Sequence, residues 1–282
     1  MSQPADLIPA LEQEFLHETS APSRWRERVR RYLPALALFL IGLIVWEGLV
    51  TVFRIEGFLL PKPSVIARTF ARDFSIVAGA GWNTLGEAAG GFLIGSALGI
   101  AIALATARWS TLSEGLMPFA IAINSTPIIA LAPITINWFG ITNSMSKMSI
   151  VAVIVFFPVM INMVRGLTLI DPSALELMRS YAAGERAVLI KVRLPNSLSY
   201  LFSAFKVAAT LSVIAAIVSE YFGGPNNVLG VYISQQAALF HFAEAWSAII
   251  IGCIMGVAFY LVIVVVERLV MPWHASLRSV EA

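Results

Sequence analysis

Charged side chains are scarce in this sequence. Only 13% of its 282 residues are Asp, Glu, Lys or Arg, whereas 58% are hydrophobic. A soluble globular domain carries about 25% charged residues, so this chain lacks the polar surface that a water-soluble fold needs. With a net charge of +2 it also lacks a positive field for binding nucleic acid. The composition argues against a cytosolic enzyme, a disordered protein and a nucleic-acid-binding protein, and it indicates a polytopic membrane protein.

Cysteine and histidine are nearly absent as well. Cys253 is the single cysteine, so the chain has no disulfide framework. The three histidines, His17, His241 and His274, are far apart in sequence and lack the spacing of metal ligands. No Ser-His, His-Glu-His or paired-Asp arrangement indicates a catalytic centre. Neither a metal site nor catalytic residues are predicted, and a membrane-embedded enzyme is the least supported hypothesis.

Long apolar runs make up most of the chain. A helix that crosses the hydrocarbon core needs about 20 apolar residues. Six stretches are candidates, although Pro127 and Pro133 interrupt the third. They cover residues 33–53, 82–107, 116–139, 145–167, 198–222 and 246–270. The first is too long for the apolar core of a cleaved signal peptide. We therefore expect an all-α polytopic membrane protein with about six transmembrane helices.

Lys and Arg residues are distributed unevenly among the connecting segments. Five arginines lie in residues 24–31, and five basic side chains lie between residues 165 and 193. Residues 221–244 contain no Lys or Arg. Because basic segments stay in the cytoplasm, we expect both termini there. The predicted organisation is a cytoplasmic tail (1–32), a first transmembrane helix (33–53), an extracytoplasmic segment (54–81), a core with five transmembrane helices (82–270) and a cytoplasmic tail (271–282).

The predicted extracytoplasmic segment contains a helical pattern. Ser64 follows two prolines and is a suitable N-cap. Apolar residues then recur on one face, opposite Arg68, Arg72 and Asp73. Two interpretations remain open: an amphipathic helix on the outer membrane surface, and a helix packed against neighbouring spans.

Glycines recur at four-residue spacing within the second stretch. Gly91, Gly95 and Gly99 would lie on one helix face, where they allow a neighbouring helix to approach closely. The sixth stretch repeats this spacing with Gly252 and Gly256. The pattern predicts helix packing but does not identify a dimer interface.

The segment between the fourth and fifth stretches predicts two short helices. Asp171 is a natural N-cap and Pro172 suits the first helical position. Gly184 is expected to end the first helix, and the second is expected to stop before Pro195. The first helix has a narrow apolar face, formed by Leu175, Met178 and Ala182. Such a face favours docking into a groove of another protein, with a self-packed loop as the alternative.

This segment resembles the "EAA" loop of permease subunits of bacterial ABC importers. Glu176 matches the glutamate of that pattern, Val192 stands for its isoleucine, and Leu194-Pro195 match in register. Leu177 and Met178 replace the paired alanines, and Ala182 occupies the usual glycine position. The resemblance implies that the loop couples the chain to an ATPase. The residues implied are Glu176, Arg179, Tyr181, Ala182, Gly184, Leu194 and Pro195.

Further segments extend the resemblance over most of the chain. Residues 60–65, 138–140 and 205–208 are similar to the sulfonate, nitrate, taurine and thiamine-pyrimidine branch. Membership implies a type I ABC importer permease fold in the bacterial inner membrane. It also implies a second permease copy, two cytoplasmic ATP-binding subunits and an extracytoplasmic solute-binding protein, besides membrane lipid. The chain itself has no Gly-Lys dipeptide and therefore no phosphate-binding loop. ATP and Mg would bind the partner ATPase, and no cofactor is expected in this chain.

Polar residues within the apolar stretches are candidates for a substrate pathway. Interrupted helices often line transport sites, which favours the third stretch. The candidates there are Asn124, Ser125, Thr126 and Asn137. Asn162, Ser212 and Ser219 are further candidates. Hydrogen bonding within or between helices is the alternative for each.

Four ionisable residues in or beside the stretches need separate treatment. Lys206 is expected to extend to the cytoplasmic interface, and Glu220 is expected in the interface beside Tyr221. Glu87 is interpreted as a hydrogen-bonded structural carboxylate, with an acid that favours a neutral or cationic heterocycle over an anion as the alternative, and Lys147 is assigned to an outer segment.

The expected function is an ATP-driven importer subunit that moves a sulfonate, nitrate, taurine or pyrimidine-like solute by alternating access. An ion-coupled secondary transporter is the alternative. It would require an ion site at the midplane or an inverted repeat, and neither is evident in the sequence.

Overall fold

The computed structural model describes residues 24–108 and 127–272, with side chains described for residues 33–106 and 127–272. These residues form helices joined by short turns, and no strand occurs among them. The helices are α1 (Arg24–Val52), α2 (Pro63–Arg108), α3 (Ala132–Phe139), α4 (Ser144–Thr168), α5 (Pro172–Ser180), α6 (Glu185–Val188), α7 (Leu194–Glu220), α8 (Leu229–Ala238) and α9 (Phe242–Val270). A 3-10 turn (Ile128–Leu131) precedes α3, and a π-turn (Leu189–Arg193) joins α6 to α7.

Five described segments are long and apolar enough to cross a membrane. They are Leu33–Val52, Pro63–Thr106, Ser144–Thr168, Glu185–Glu220 and Phe242–Val270. The all-α polytopic prediction is therefore confirmed. The other predicted span, 116–139, extends into residues that the structure does not describe. Its described part is the shorter apolar helix Ile128–Phe139, in which Pro133 lies at the start of α3 and does not interrupt it.

The contacts divide the chain into two units, Met1–Ser64 and Val65–Ala282. In the first unit, the carboxylate of Glu47 on α1 accepts from the backbone N–H of Ser64 at 3.0 Å and from its hydroxyl at 2.8 Å. Glu47 thus caps the N-terminus of α2, where a negative charge is favourable. The prediction of Ser64 as the N-cap is wrong, because α2 begins at Pro63 and Ser64 lies within its first turn.

Helix α2 is longer than the sequence analysis predicted. It runs through 46 residues without a break at residue 81, so the predicted outer helix and second span are continuous. No proline follows Pro63 within α2, and Gly79 and Gly81 do not interrupt its hydrogen bonding. At 1.5 Å per residue such a helix is roughly 70 Å long, about twice the hydrocarbon thickness.

In the second unit, α4 packs directly against the glycine face of α2. A Cβ at Gly95 would collide with the carbonyl oxygen of Ala152. A Cβ at Gly99 would lie 2.9 Å from the carbonyl oxygen of Phe156, and one at Gly91 would lie 2.7 Å from that of Met148. The close packing predicted from the glycine spacing is confirmed. The opposing atoms belong to the backbone, so they cannot move aside as a side chain would.

Helix α4 also packs against α7. A Cβ at Gly166 would lie 2.6 Å from the Cα of Ser197, so the two backbones touch there. Phe92 on α2 joins the same core, with its ring centroid 5.4 Å from that of Phe205 on α7 and 5.1 Å from that of Phe259 on α9. Both pairs have the edge-to-face geometry that aromatic rings prefer. Helices α2, α4, α7 and α9 therefore share one core.

Large apolar side chains remain exposed on the outer helices. Ile254, Val257 and Leu261 lie on one exposed face of α9. Lipid tails are as apolar as these side chains, so this exposure suits a membrane and not water.

Replacing Gly95 by alanine should destabilise the second unit. The new methyl group has no space beside the Ala152 carbonyl, and overpacking of this kind costs about 2 kcal/mol. We expect the apparent Tm of the full chain in detergent to fall by roughly 5 °C. Gly86→Ala on the same helix is the matched control, because nothing lies within 4 Å of a Cβ there. Equal Tm values for the two variants would contradict the assigned packing.

Candidate coupling site and substrate pathway

The connection between α4 and α7 begins with a capped helix. The Asp171 carboxylate accepts from the backbone N–H of Ser173 at 3.0 Å, and Pro172 occupies the first helical position. Both features were predicted from the sequence and are confirmed. A side-chain cap and an N-terminal proline give α5 a defined start.

Helix α5 ends in a turn at Ala182 instead of Gly184. Ala182 has a φ of +49°, and its N–H donates to the carbonyl of Arg179 at 2.9 Å. The N–H of Ala183 donates to the carbonyl of Met178 at 3.0 Å. This pair of hydrogen bonds is a Schellman motif, in which the left-handed position is usually glycine. The turn therefore occurs where the "EAA" pattern has its glycine, although this chain has alanine.

Gly184 has a different role from the predicted one. Its φ of −69° and ψ of 162° are extended, and it serves as the N-cap of α6. Its carbonyl accepts from the N–H groups of Ala187 and Val188 at 2.9 and 3.2 Å. The prediction that Gly184 ends α5 is wrong because the chain has already turned at Ala182.

The second helix of the connection does not stop before Pro195. It continues through the π-turn Leu189–Arg193 into α7. Proline lacks an N–H, and in a regular α-helix its ring would crowd the carbonyl four residues earlier, here that of Lys191. A π-turn is wider than an α-turn and leaves room for that ring. The predicted stop is therefore wrong.

The apolar residues of α5 divide into two faces. Leu175 and Met178 are half-buried against the protein. Leu177 and Tyr181 point outward and are 57% and 76% exposed. We call Leu177 and Tyr181 the coupling face. Docking was predicted for the face formed by Leu175, Met178 and Ala182, of which Ala182 alone is exposed, so the outward apolar surface differs from the predicted one.

Asn196 holds the two ends of the connection together. Its side-chain amide donates to the carbonyls of Gly166 and Leu169, at 2.7 and 2.9 Å. These carbonyls lie at the C-terminal end of α4, where the last carbonyl groups of a helix have no N–H partner within the helix. With the Gly166–Ser197 backbone contact nearby, the start of α7 is fixed against the end of α4. Sequence reasoning missed Asn196, although its position directly after Pro195 at a helix start was visible.

The remaining residues implied for coupling lie around this frame. Glu176 and Arg179 are exposed beside the coupling face, whereas Leu194 and Pro195 are half-buried where α7 begins. None of the residues of α5 is buried.

The structure does not assemble the predicted substrate pathway. Asn124, Ser125 and Thr126 lie outside the described residues, and Asn137 is exposed on α3. The other three candidates donate to carbonyls of their own helices. These bonds are Asn162 to Pro158, Ser212 to Ala209 and Ser219 to Ala216, each 2.8 Å long. Hydrogen bonding within a helix thus accounts for these three side chains, and their place in a pathway stays a prediction.

Lys206 forms an ion pair inside the helical bundle. Its ammonium lies 2.9 and 2.8 Å from the two carboxylate oxygens of Glu267 on α9. A neighbouring helix thus supplies a carboxylate to Lys206, and its expected reach to the cytoplasmic interface stays a prediction. Nothing in the local sequence identifies Glu267 as its partner.

Three further ionisable side chains meet between α2, α4 and α7. Glu87, Lys147 and Glu220 are 3%, 1% and 0% exposed, and we call them the buried charge cluster. Lys147 lies in the first turn of α4 and Glu220 at the last position of α7, and their expected places in an outer segment and at the interface stay predictions. Their positions depend on helix packing that the local sequence does not reveal. Glu87 is buried, and its expected structural role stays a prediction.

Comparison with known proteins identifies the family. Residues 91–274 match the model of the binding-protein-dependent transport system inner membrane component. This chain belongs to that family. The match includes the whole connection from α4 to α7. The chain is therefore a multi-pass permease subunit of the inner membrane and not an enzyme, and ATP hydrolysis belongs to separate subunits.

Individual permeases resemble the chain over nearly its full length. The riboflavin transport system permease protein of Chloroflexus aurantiacus is 30% identical over 94% of this chain and 100% of that protein. The formylaminopyrimidine transport permease protein of Halalkalibacterium halodurans is 26% identical over 88% of this chain and 98% of that protein. The taurine transport system permease protein of Escherichia coli is 20% identical over 96% of this chain and 100% of that protein.

The fold matches a solved transporter. A crystal structure of an amino acid ABC transporter with histidines aligns with a TM-score of 0.57, covering 70% of this chain and 95% of that chain at 18% identity. This similarity supports the permease fold and carries no information on substrate.

Replacing Ala182 by glycine should stabilise α5, because glycine adopts a positive φ without the strain of a Cβ. The left-handed conformation costs alanine about 1 kcal/mol. Removal of this cost in Ala182→Gly should slow hydrogen exchange of the α5 amides roughly five-fold. Ala182→Val should have the opposite effect, since a branched side chain is strained further.

Ala183→Gly is the matched control for this prediction. Ala183 does not have a positive φ, so glycine relieves no strain there and exchange should not slow. Slower exchange in both glycine variants would contradict the strained turn.

Proposed function

We propose that residues 171–195 form a cytoplasmic loop that docks into an ATPase subunit, and that the chain moves a small solute inward by alternating access. The observation that carries this proposal is the coupling face on a firmly attached helix. Leu177 and Tyr181 are exposed, while α5 is capped at one end and turned sharply at the other. A loop attached at both ends can transmit force instead of bending.

The exposed coupling face needs a partner of suitable chemistry. A side chain the size of leucine gains about 2 kcal/mol when it moves from water into an apolar pocket. Leu177 and Tyr181 are one helical turn apart, so they can enter one groove as a helix-in-groove anchor pair. Glu176 and Arg179 flank them and can form polar contacts at its rim. Ala182 and Gly184 then set the turn, and Leu194-Pro195 set the exit into α7.

The proposed assembly has two of these chains, two ATPase subunits and an extracytoplasmic solute-binding protein. Lys and Arg concentrate in the N-terminal tail and in the coupling loop. Because basic segments stay in the cytoplasm, the proposed orientation places this loop and both termini there. ATP and Mg bind the ATPase subunits. Closure of the ATPase pair would draw two coupling loops together and open the pathway outward, and hydrolysis would reverse the change.

The solute is proposed to be a small organic or inorganic molecule delivered by the binding protein. Relatives are named for riboflavin, formylaminopyrimidine and taurine transport. Glu87 does not help to choose among these, because it is buried with Lys147 and Glu220. The polar residues of the third stretch remain the proposed pathway, together with Asn162, Ser212 and Ser219.

An ion-coupled secondary transporter is not favoured. This chain belongs to a family of ABC permease subunits. In addition, Lys206 and Glu267 neutralise each other instead of forming an open ion site.

Leu177→Glu should uncouple the transporter. A charge on the coupling face would have to be buried against the ATPase, and a loss of about 1.4 kcal/mol already lowers affinity about tenfold. We expect ATP-driven uptake into proteoliposomes to fall at least about tenfold, with less ATPase bound. Riboflavin, formylaminopyrimidine and taurine are the substrates to assay.

Ser180→Ala is the matched control, because the Ser180 hydroxyl donates to the carbonyl of Leu177 within α5 and Ser180 is not part of the coupling face. Its uptake should equal that of the unmodified chain. Undiminished coupling in Leu177→Glu would refute docking through this face. Uptake that persists without ATP and collapses with the proton gradient would indicate the secondary transporter.

A further inference from the structure

The buried charge cluster is not used by the proposed coupling mechanism. Glu87 lies on α2, Lys147 on α4 and Glu220 on α7, so the three residues join three helices at one point. All three side chains are more than nine-tenths buried. Burying even one ion costs several kcal/mol unless partners compensate it, so the contacts around this cluster decide which charges it can hold.

Polar groups surround the cluster on several sides. Glu220 Oε2 accepts from the backbone N–H of Gly230 at 2.6 Å, which ties the start of α8 to the end of α7. The hydroxyl of Thr84 on α2 accepts from the N–H of Leu229 at 2.9 Å and also reaches Glu220. The Lys147 ammonium donates to the carbonyl of Ile141. The cluster therefore connects α2, α4 and α7 to the α7–α8 connection.

The two carboxyl groups also interact with each other. The side chains of Glu87 and Glu220 lie within hydrogen-bonding reach, and Ser144 on α4 reaches Glu87. One oxygen on each carboxyl, Glu87 Oε2 and Glu220 Oε1, has no hydrogen-bond partner among the described residues. Two carboxylates cannot hydrogen-bond to each other unless one of them carries a proton, since ionised carboxylates only accept.

The charges of the cluster do not balance when both acids are ionised. Two carboxylates would face one ammonium, and in the part of the chain that the structure describes the other titratable group beside them is Tyr221, which carries no positive charge. An uncompensated negative charge would then remain in the core. Two adjacent carboxyl groups avoid this by holding one proton between them, because like charges in contact cannot both stay ionised.

A bound metal cation is a poorer solution than a proton. Calcium takes six to eight oxygen ligands and magnesium demands six, whereas the cluster offers two unpartnered carboxylate oxygens. The Lys147 ammonium would also repel a cation at this place. Among the residues that the structure describes, no group of three or more His, Cys, Asp or Glu could hold a metal ion.

We propose that Glu87 and Glu220 form a proton-binding site in which one proton is shared between the two carboxyl groups beside Lys147. The cluster then has no net charge: one ammonium, one carboxylate and one neutral acid. The proton supplies the donor that the two carboxyls otherwise lack, and it joins α2 to α7 where α8 begins. Entry of water between these helices would release the proton, so proton occupancy reports whether this end of the bundle is closed.

Infrared spectroscopy of the full chain in lipid nanodiscs tests this proposal directly. A protonated carboxyl has a carbonyl stretch that is separate from the carboxylate and amide bands, and it shifts in deuterium oxide. We expect such a band at neutral pH in the unmodified chain and its loss in both Glu87→Gln and Glu220→Gln. In either variant the remaining glutamate pairs with Lys147 and ionises.

Glu267→Gln is the matched control, because it also removes a buried glutamate paired with a lysine but leaves the cluster intact. The band should persist in that variant. A glutamine at position 87 keeps an amide donor for Glu220, so the apparent Tm of Glu87→Gln should stay close to that of the unmodified chain. If Glu220→Gln does not fold because its bond to Gly230 is altered, Glu87→Gln still decides the question.

Two outcomes would overturn the proposal. The first is a spectrum in which no protonated carboxyl band is lost in Glu87→Gln. The second is an apparent Tm that rises with added sodium or potassium in the unmodified chain but not in Glu87→Gln, which would identify a cation in place of the proton.

Discussion

The structure depends on backbone-to-backbone contact along both sides of α4. Lipid tails are as apolar as the helices, so burial of apolar surface does not by itself hold membrane helices together, and close packing has to do so. Gly95 brings α2 onto the Ala152 carbonyl, and Gly166 brings α4 onto Ser197 of α7. These contacts fix α4 between its neighbours, and they thereby fix both ends of the connection that follows it.

Charge is scarce in this chain, and inside the bundle it is placed where helices have to stay together. Lys206 on α7 pairs with Glu267 on α9, and Lys147 on α4 lies with Glu87 and Glu220. Away from water such groups interact strongly and are costly when unpaired. Outside the bundle Glu176 and Arg179 are exposed beside the coupling face, and Arg72 pairs with Asp73 and Glu244.

Features that depend on neighbours in sequence were predictable. The Asp171 cap, the glycine face of α2 and five of the apolar spans follow from local patterns, and the "EAA" resemblance singled out the connection between α4 and α7 that we propose as the coupling loop. Features that depend on distant contacts were not. Glu87, Lys147 and Glu220 come together only after three helices pack, and the Asn196 bonds require the end of α4 beside the start of α7. The turn at Ala182 escaped prediction because glycine two residues later was the better local candidate.

The central claim is that the outward face of α5, held by the α4–α7 contact, meets the ATPase. The most direct measurement is cysteine cross-linking of the assembled transporter, after replacement of the exposed Cys253 by serine. Cysteines at Leu177 and Tyr181 should cross-link to the ATPase, whereas cysteines at the half-buried Leu175 and Met178 should not. Equal cross-linking from both faces, or cross-linking from Leu175 and Met178 alone, would contradict the account.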